Sequence, residues 1–143
     1  MATDRTAAVT WRGSLIEGSG TIDRVGSGAF GPLDVTWASR AEDPSGRTSP
    51  EELIAAAHAS CYSMALSHGL AQDGTPPEEL GTSATVTFVP GTGITKIALT
   101  VRAKVPGLDA DAFIAKAEGA KANCPVSKAL AGVPEITLDA TLA

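Results

Sequence analysis

A chain of 143 residues is one domain's worth, long enough to bury roughly two-thirds of its unfolded surface. Apolar residues make up 43% of it and charged residues 19%, the balance of an ordinary globular protein. Eleven Lys and Arg stand against sixteen Asp and Glu, a net charge of −5, and the basic residues are scattered rather than clustered. That pattern argues against nucleic-acid binding, which needs a basic footprint.

Residues 1–9 carry Asp4 and no hydrophobic core segment, unlike a signal peptide. The apolar run at 53–70 is interrupted by His, Ser and Tyr and falls short of the roughly 18 apolar residues of a membrane span. The expectation is a cytoplasmic protein without a membrane partner. Reducing conditions there disfavour a permanent disulfide, and one that does form is more often transient and catalytic.

The first forty residues are expected to form strands. Val9-Thr-Trp-Arg12 and Gly20-Thr-Ile-Asp-Arg-Val25 alternate apolar with polar, and glycines mark the turns. A third strand is predicted at 33–38, with Val35 and Trp37 on one face, followed by a loop through Glu42-Asp-Pro-Ser-Gly-Arg47. A long helix then opens at Ser49-Pro50-Glu51-Glu52, with Ser at the N-cap, Pro at the first helical position and Glu at the third. It is predicted to run to about Leu70, ahead of Gly74. Strands follow at 82–89 and 94–105, joined by Pro90-Gly-Thr-Gly93 and ended by Pro106-Gly107. A helix is predicted from Asp109 to about Ala122, a second opens at Cys124-Pro125, and 136–142 is a last strand. Grouped strands and helices indicate an α+β fold, and with no repeat or linker residues 1–143 are expected to be a single domain. The high Ala and Gly content thins the core of a small monomer, a composition with which dimerisation is compatible.

Two isolated cysteines are the best candidates for chemistry. Cys61 lies inside the long helix on a stripe with Ala57 and Ala65, flanked by Ile54 and His58, where small side chains permit close approach. The competing reading is a buried small hydrophobe. Cys124 sits at an N-cap ahead of Pro125, where free backbone N–H groups stabilise a thiolate, the reactive form of a thiol. A plain capping segment explains it equally well. Glu52 is accounted for by a capping box, whereas Glu51 is not. Glu51 and Cys61 are ten residues apart, about 15 Å along a helix, so a site using both needs Glu51 from a second subunit. A zinc reading starts from His58-x-x-Cys61, with His68 and the distant Cys124 as the other donors. Zinc usually takes three or four ligands with a short pair at each end, whereas only Cys124 stands at the far end here, and His58 is better explained as a packed helix residue with one satisfied hydrogen bond.

The stretch Thr48-Ser-Pro-Glu-Glu-Leu-Ile-Ala-Ala-Ala-His-Ala-Ser-Cys-Tyr-Ser-Met-Ala-Leu66 closely resembles the signature of the osmotically inducible protein C family. So do Ile94-Thr-Lys-Ile-Ala-Leu99, Val105-Pro-Gly-Leu-Asp109 and Cys124-Pro-Val-Ser-Lys-Ala-Leu130, in the same order and over most of the chain. Cys-Pro-Val-Ser is similar to the branch that names the family; the organic hydroperoxide resistance branch tends to carry Cys-Pro-Tyr-Ser. Ser49, Ser60 and Tyr62 depart mildly from the commoner Asn, Ala and Phe.

This resemblance implies an OsmC-like fold, with antiparallel sheets packed around long central helices in an intertwined homodimer. It implies a cysteine-based peroxidase that reduces organic hydroperoxides to alcohols, with no cofactor and no metal. Cys61 matches the peroxidatic cysteine, Cys124 the resolving cysteine that forms a disulfide with it, and Glu51 the family's active-site glutamate. The arginine that partners the glutamate lies just upstream of the helix; Arg40 fits that place best and Arg47 competes with it. The implied reductant is a dithiol of the lipoyl type. A non-catalytic dimer binding a lipid-like small molecule in the same fold is the alternative.

Overall fold

The computed structural model describes all 143 residues, which divide into two compact units, Met1–Leu53 and Ile54–Ala143. In the first, β1 (Ala7–Arg12), β2 (Ser19–Val25) and β3 (Leu33–Val35) form an antiparallel sheet in the order β1-β2-β3. The indole of Trp11 crosses Gly20, its register partner on β2. A Cβ at Gly20 would stand 2.7 Å from that ring and 2.9 Å from the Val35 side chain, so only glycine fits there.

The third strand is shorter than its sequence predicts. It stops at Val35, and Thr36 caps a one-turn helix, α1 (Trp37–Ala41). Thr36 Oγ1 accepts the Ser39 N–H at 3.0 Å while Ser39 Oγ accepts the Thr36 N–H at 3.0 Å. This reciprocal box satisfies two backbone donors that a strand edge would leave to solvent, and it overrides the alternation of Val35 with Trp37. Trp37 and Arg40 therefore lie on a helix, not in or at the end of a strand.

A turn through Ser45 and Gly46, both at positive φ, returns the chain to α2 (Pro50–Gln72). Ser49 Oγ accepts the Glu52 N–H at 3.2 Å, as a cap should. The Glu52 carboxylate completes no box, accepting instead from the Thr48 hydroxyl at 2.9 Å. The helix ends two residues later than expected, where Gly74 at φ +81° lets the Gly74 and Thr75 N–H groups reach back to Ala71 and Leu70.

In the second unit β4 (Glu79–Val89) and β5 (Gly93–Lys104) form a long hairpin, with a bulge between Thr87 and Phe88. Asp109 caps α3 (Ala110–Asn123), accepting the Ala112 N–H at 2.8 Å, and α4 (Pro125–Ala129) follows directly. These two helices carry the chain back along the sheet, so β6 (Glu135–Leu142) joins β5 in parallel and gives the order β4-β5-β6. The mixed α+β class stands, with β5–β6 the one parallel ladder and an isolated parallel bridge between Val35 and Thr48 in otherwise antiparallel sheets.

The core of this unit follows from three periodicities. Tyr62, Leu66 and Leu70 recur every fourth residue on α2, Leu99, Val101 and Ala103 every second residue on β5, and Phe113, Ala117 and Ala120 share a face of α3. Cys124 closes the cluster at the α3–α4 junction. The Tyr62 hydroxyl, which Phe would lack, donates to the Ala117 carbonyl at 3.0 Å, so this polar group is buried with its partner.

Candidate active site

Cys61 and Cys124 meet. Both thiols are free, and their side chains lie within hydrogen-bonding reach of one another although they are far apart in sequence. Two elements bring this about: Cys61 stands on α2 beside the core stripe, and Cys124 is the residue at which α3 ends and α4 begins. Pro125 at the first position of α4 fixes that corner, because it cannot extend α3 and is preset for a new helical turn. Cys124 is fully buried and Cys61 half-buried. Of the neighbours assigned to Cys61 by sequence, Ile54 and Ala65 are half-buried while Ala57 is exposed.

The electrostatics of the pair are unequal. Burial pushes the Cys61 thiol up, against a stabilising Val126 N–H, and the adjacent Cys124 pushes it further. At Cys124 burial also opposes ionisation, but the Ser127 N–H, the Cys61 thiol, the Ser127 hydroxyl and the Val126 N–H outweigh it and hold the thiol below its ordinary value. A neutral thiol is a weak acceptor, and Cys124 makes no capping hydrogen bond in that form. Its donors count once the sulfur is charged. Within Ile54–Ala143 a thiolate is thus favoured at Cys124 and disfavoured at Cys61.

His58 lies one turn before Tyr62 on the buried stripe of α2 and is fully buried. Its Nε2 is 2.7 Å from Ser127 Oγ, and its Nδ1 has no partner. Burial lowers its pKa, so the ring is held neutral. The packed-residue reading of His58 therefore holds, with a specific partner. His68 is exposed, and no three His, Cys, Asp or Glu side chains converge as a metal site requires, so the zinc reading finds no ligand set here. Ser127 is the residue that inspection of the chain passes over. Its position at the third residue of α4 follows from Cys124-Pro125, but a contact with His58 across 69 residues leaves no local trace.

In the unit Met1–Leu53 the structure pairs Glu51 with Arg40. Arg40 Nη2 is 2.8 Å from Glu51 Oε1, and Nε is 2.9 Å and 3.2 Å from the two carboxylate oxygens. The side chain of Glu51 is only 7% exposed, that of Arg40 32%, and Arg47 is exposed in the intervening loop. Ser39 sets up this contact. Its buried hydroxyl lies 2.9 Å from the Thr48 carbonyl and 3.0 Å from the Thr36 carbonyl, and its one hydrogen, given to Thr48, ties α1 to the residues just before α2.

The sequence profile of OsmC-like proteins matches residues 42–139. "Peroxiredoxin OsmC" of Escherichia coli (strain K12) is 44% identical over 132 residues, 90% of each chain. This chain belongs to the OsmC family. Among solved structures, the organic hydroperoxide resistance protein OhrB of Bacillus subtilis is 26% identical, with a TM-score of 0.63 over 96% of this chain and 98% of that one. An OsmC-like protein from Mycoplasma pneumoniae, at 17% identity, has a TM-score of 0.70 over 99% of both chains and shares the fold. The OsmC-like fold is thus the fold of this chain.

Proposed function

We propose that this OsmC-family chain is a thiol-dependent peroxidase that reduces organic hydroperoxides to alcohols, and that residues 1–143 act as one OsmC-like domain. One observation carries the reading: two free thiols from separate elements come within hydrogen-bonding reach of each other, one buried and one half-buried. The names of its relatives support the same chemistry, peroxiredoxin in one and organic hydroperoxide resistance in another.

In the proposed cycle the Cys61 thiolate attacks the terminal peroxide oxygen. The O–O bond breaks, the alkoxide leaves and takes a proton to become the alcohol, and the sulfur is oxidised to sulfenic acid. Cys124 then attacks the sulfenic sulfur; the S–O bond breaks, the hydroxide leaves as water, and a Cys61–Cys124 disulfide remains. An external dithiol of the lipoyl type reduces that disulfide by exchange. No cofactor or metal enters these steps.

Cys61 needs help to ionise, since its own surroundings disfavour the thiolate. A guanidinium supplies it, because an opposite charge within about 4–6 Å favours the charged form. We assign Arg40 to that role and Glu51 to holding its planar fork in one orientation. The helix α2 is continuous from Pro50 to Gln72, so Glu51 and Cys61 stand about 15 Å apart along it. The Arg40–Glu51 pair therefore reaches Cys61 from a second copy of the chain, and the working enzyme is a homodimer. The chain has no helix long and apolar enough to cross a membrane, and we take the cytoplasm as its compartment.

Small and apolar side chains beside Cys61 (Ile54, Ala57, Ala65) favour a substrate with an alkyl portion. Stopped-flow oxidation by cumene or fatty-acid hydroperoxide is expected to exceed that by hydrogen peroxide by at least tenfold, about 1.4 kcal/mol of extra apolar contact in the transition state. A larger second-order rate constant for hydrogen peroxide overturns the substrate assignment.

A further inference from the structure

The buried contact between His58 and Ser127 lies outside the proposed peroxide chemistry, yet it touches the resolving cysteine. Cys124, the N-cap of α4, and Ser127, three residues on, are both buried, and the Ser127 hydroxyl is one of the groups that favour the Cys124 thiolate. On its other side the same oxygen is 2.7 Å from Nε2 of a fully buried histidine.

Hydrogen placement decides what this contact does. A neutral imidazole carries one N–H and one bare nitrogen. If the proton were on Nδ1, that N–H would be a buried donor without an acceptor, because Nδ1 has no partner. Ser127 would then turn its own hydrogen towards Nε2 and away from the sulfur. With the proton on Nε2 both problems vanish: the only orphan is a lone pair, Nε2–H donates to Ser127 Oγ, and the hydroxyl hydrogen is left for Cys124. Buried N–H groups without partners are rarer than under-satisfied acceptors, which favours this second arrangement. Burial of the ring disfavours the imidazolium, in keeping with a neutral tautomer.

We propose that His58 and Ser127 form a buried relay in which neutral His58 holds the Ser127 hydroxyl hydrogen on the Cys124 sulfur, making Ser127 a catalytic residue of disulfide closure and His58 its positioning residue. The step itself rests on the peroxidase reading above. Cys124 attacks the Cys61 sulfenic sulfur as a thiolate, and one S–S bond replaces one S–O bond. The departing hydroxide takes one proton from solvent to become water, balancing the proton Cys124 released to solvent on ionising. The relay consumes no proton. It keeps the Cys124 sulfur charged and oriented until the sulfenic acid forms, which shortens the time during which Cys61 is open to over-oxidation.

The test needs no peroxide, so it stands or falls apart from the peroxidase reading. In Cys61→Ser protein Cys124 is the only thiol, and its ultraviolet thiolate absorbance can be followed against pH. With residue 61 a serine, the titratable neighbours are His58 and Tyr62, whose hydroxyl is held protonated by burial and by the charges of Glu118 and Cys124. Adding Ser127→Ala is expected to cut the thiolate fraction at neutral pH about tenfold, the effect of one hydrogen bond to a charged group. Ser127→Thr, which keeps the hydroxyl, restores most of it. His58→Phe cuts the fraction several-fold, while His58→Gln, which retains an N–H donor, recovers it. A purely structural role for His58 would not distinguish Gln from Phe in this readout once both are shown to be folded by circular dichroism. Should His58→Phe fail to fold, the Ser127→Ala and His58→Gln titrations still decide. An unchanged midpoint in Ser127→Ala overturns the relay, and a midpoint in His58→Gln as high as in Ser127→Ala removes His58 from it.

Discussion

Arg40 approaches Glu51 with two different nitrogens, Nη2 at 2.8 Å from Oε1 and Nε at 2.9 Å and 3.2 Å from the two carboxylate oxygens. The carboxylate is buried and the guanidinium one-third exposed, so Glu51 depends on Arg40 for its compensating charge. Removing one partner of a fully buried pair costs about 3–5 kcal/mol, and partial exposure of Arg40 lowers the expected value here.

The variant Arg40→Met is therefore expected to lose about 2 kcal/mol of stability in denaturant unfolding, whereas Arg47→Met stays within about 0.5 kcal/mol. Arg40→Lys restores charge but not the planar fork, and recovers little of the hydroperoxide rate constant. The role proposed for Arg40 beside the Cys61 sulfur predicts a fall of about a hundredfold in that constant for Arg40→Met. If Arg47→Met shows the larger effect on both readouts, the pairing seen here is not the functional one.

The two cysteines should fail differently. Cys61→Ser is expected to abolish peroxidase turnover, since no other thiol is placed to attack first. Cys124→Ser should give one turnover and then stall, its Cys61 sulfenic acid passing on to the sulfinic form under excess hydroperoxide. Mass spectrometry of the intact chain reads both, as an absent or a two-oxygen adduct. Multiple turnovers with dithiol in Cys61→Ser would reverse the two roles.

Much of this architecture is legible in the chain. Ser49-Pro50 and Cys124-Pro125 mark helix starts because proline tolerates little else there, and β4 and β5 show the two-residue alternation of half-buried strands. The α1 turn is not read, because Val35 and Trp37 alternate like a strand while its cap rests on Thr36 and Ser39 bonding to each other's backbone. The buried stripe of α2 is offset by one residue from the Cys61 stripe, since Ala and Ser around the whole helix blur its apolar face. The parallel docking of β6 and the choice of Arg40 over Arg47 both depend on where elements meet in space. The same holds for His58 and Ser127, whose pairing no periodicity encodes.

The neutral, buried His58 predicts a pH dependence of stability. Its folded pKa lies below the ordinary 6.5, so below that pH the unfolded chain binds a proton that the folded chain refuses. Stability must then rise with pH across this range and fall as pH drops through 6.5. The slope from this one group can reach about 1.4 kcal/mol per pH unit until its folded pKa is met. Urea unfolding of wild type and His58→Gln at several pH values between about 5 and 7 checks it, with a shallower slope expected for the variant. Parallel curves would mean that His58 takes up its proton in the folded state.

The last prediction concerns the sharing of one site between two chains, and it rests on the length of α2. Glu51 is in its first turn and Cys61 ten residues on, an axial gap of about 15 Å that a glutamate side chain cannot cover. Two such helices crossing near their middles can bring the first turn of one beside the thiol of the other. Homodimers of Cys61→Ser and of Glu51→Ala are each expected to be impaired, the first through loss of the nucleophile and the second through a loosened Arg40. Unfolding and refolding them together forms mixed dimers, in which one of the two sites combines an intact Cys61 with an intact Glu51 while the other lacks both. Activity should therefore return to about half of the wild-type value per mixed dimer. If mass measurement proves that chains have exchanged and no activity returns, Glu51 does not serve the thiol of a second copy. Its carboxylate would then act only within its own chain, as the partner of Arg40 at the start of α2.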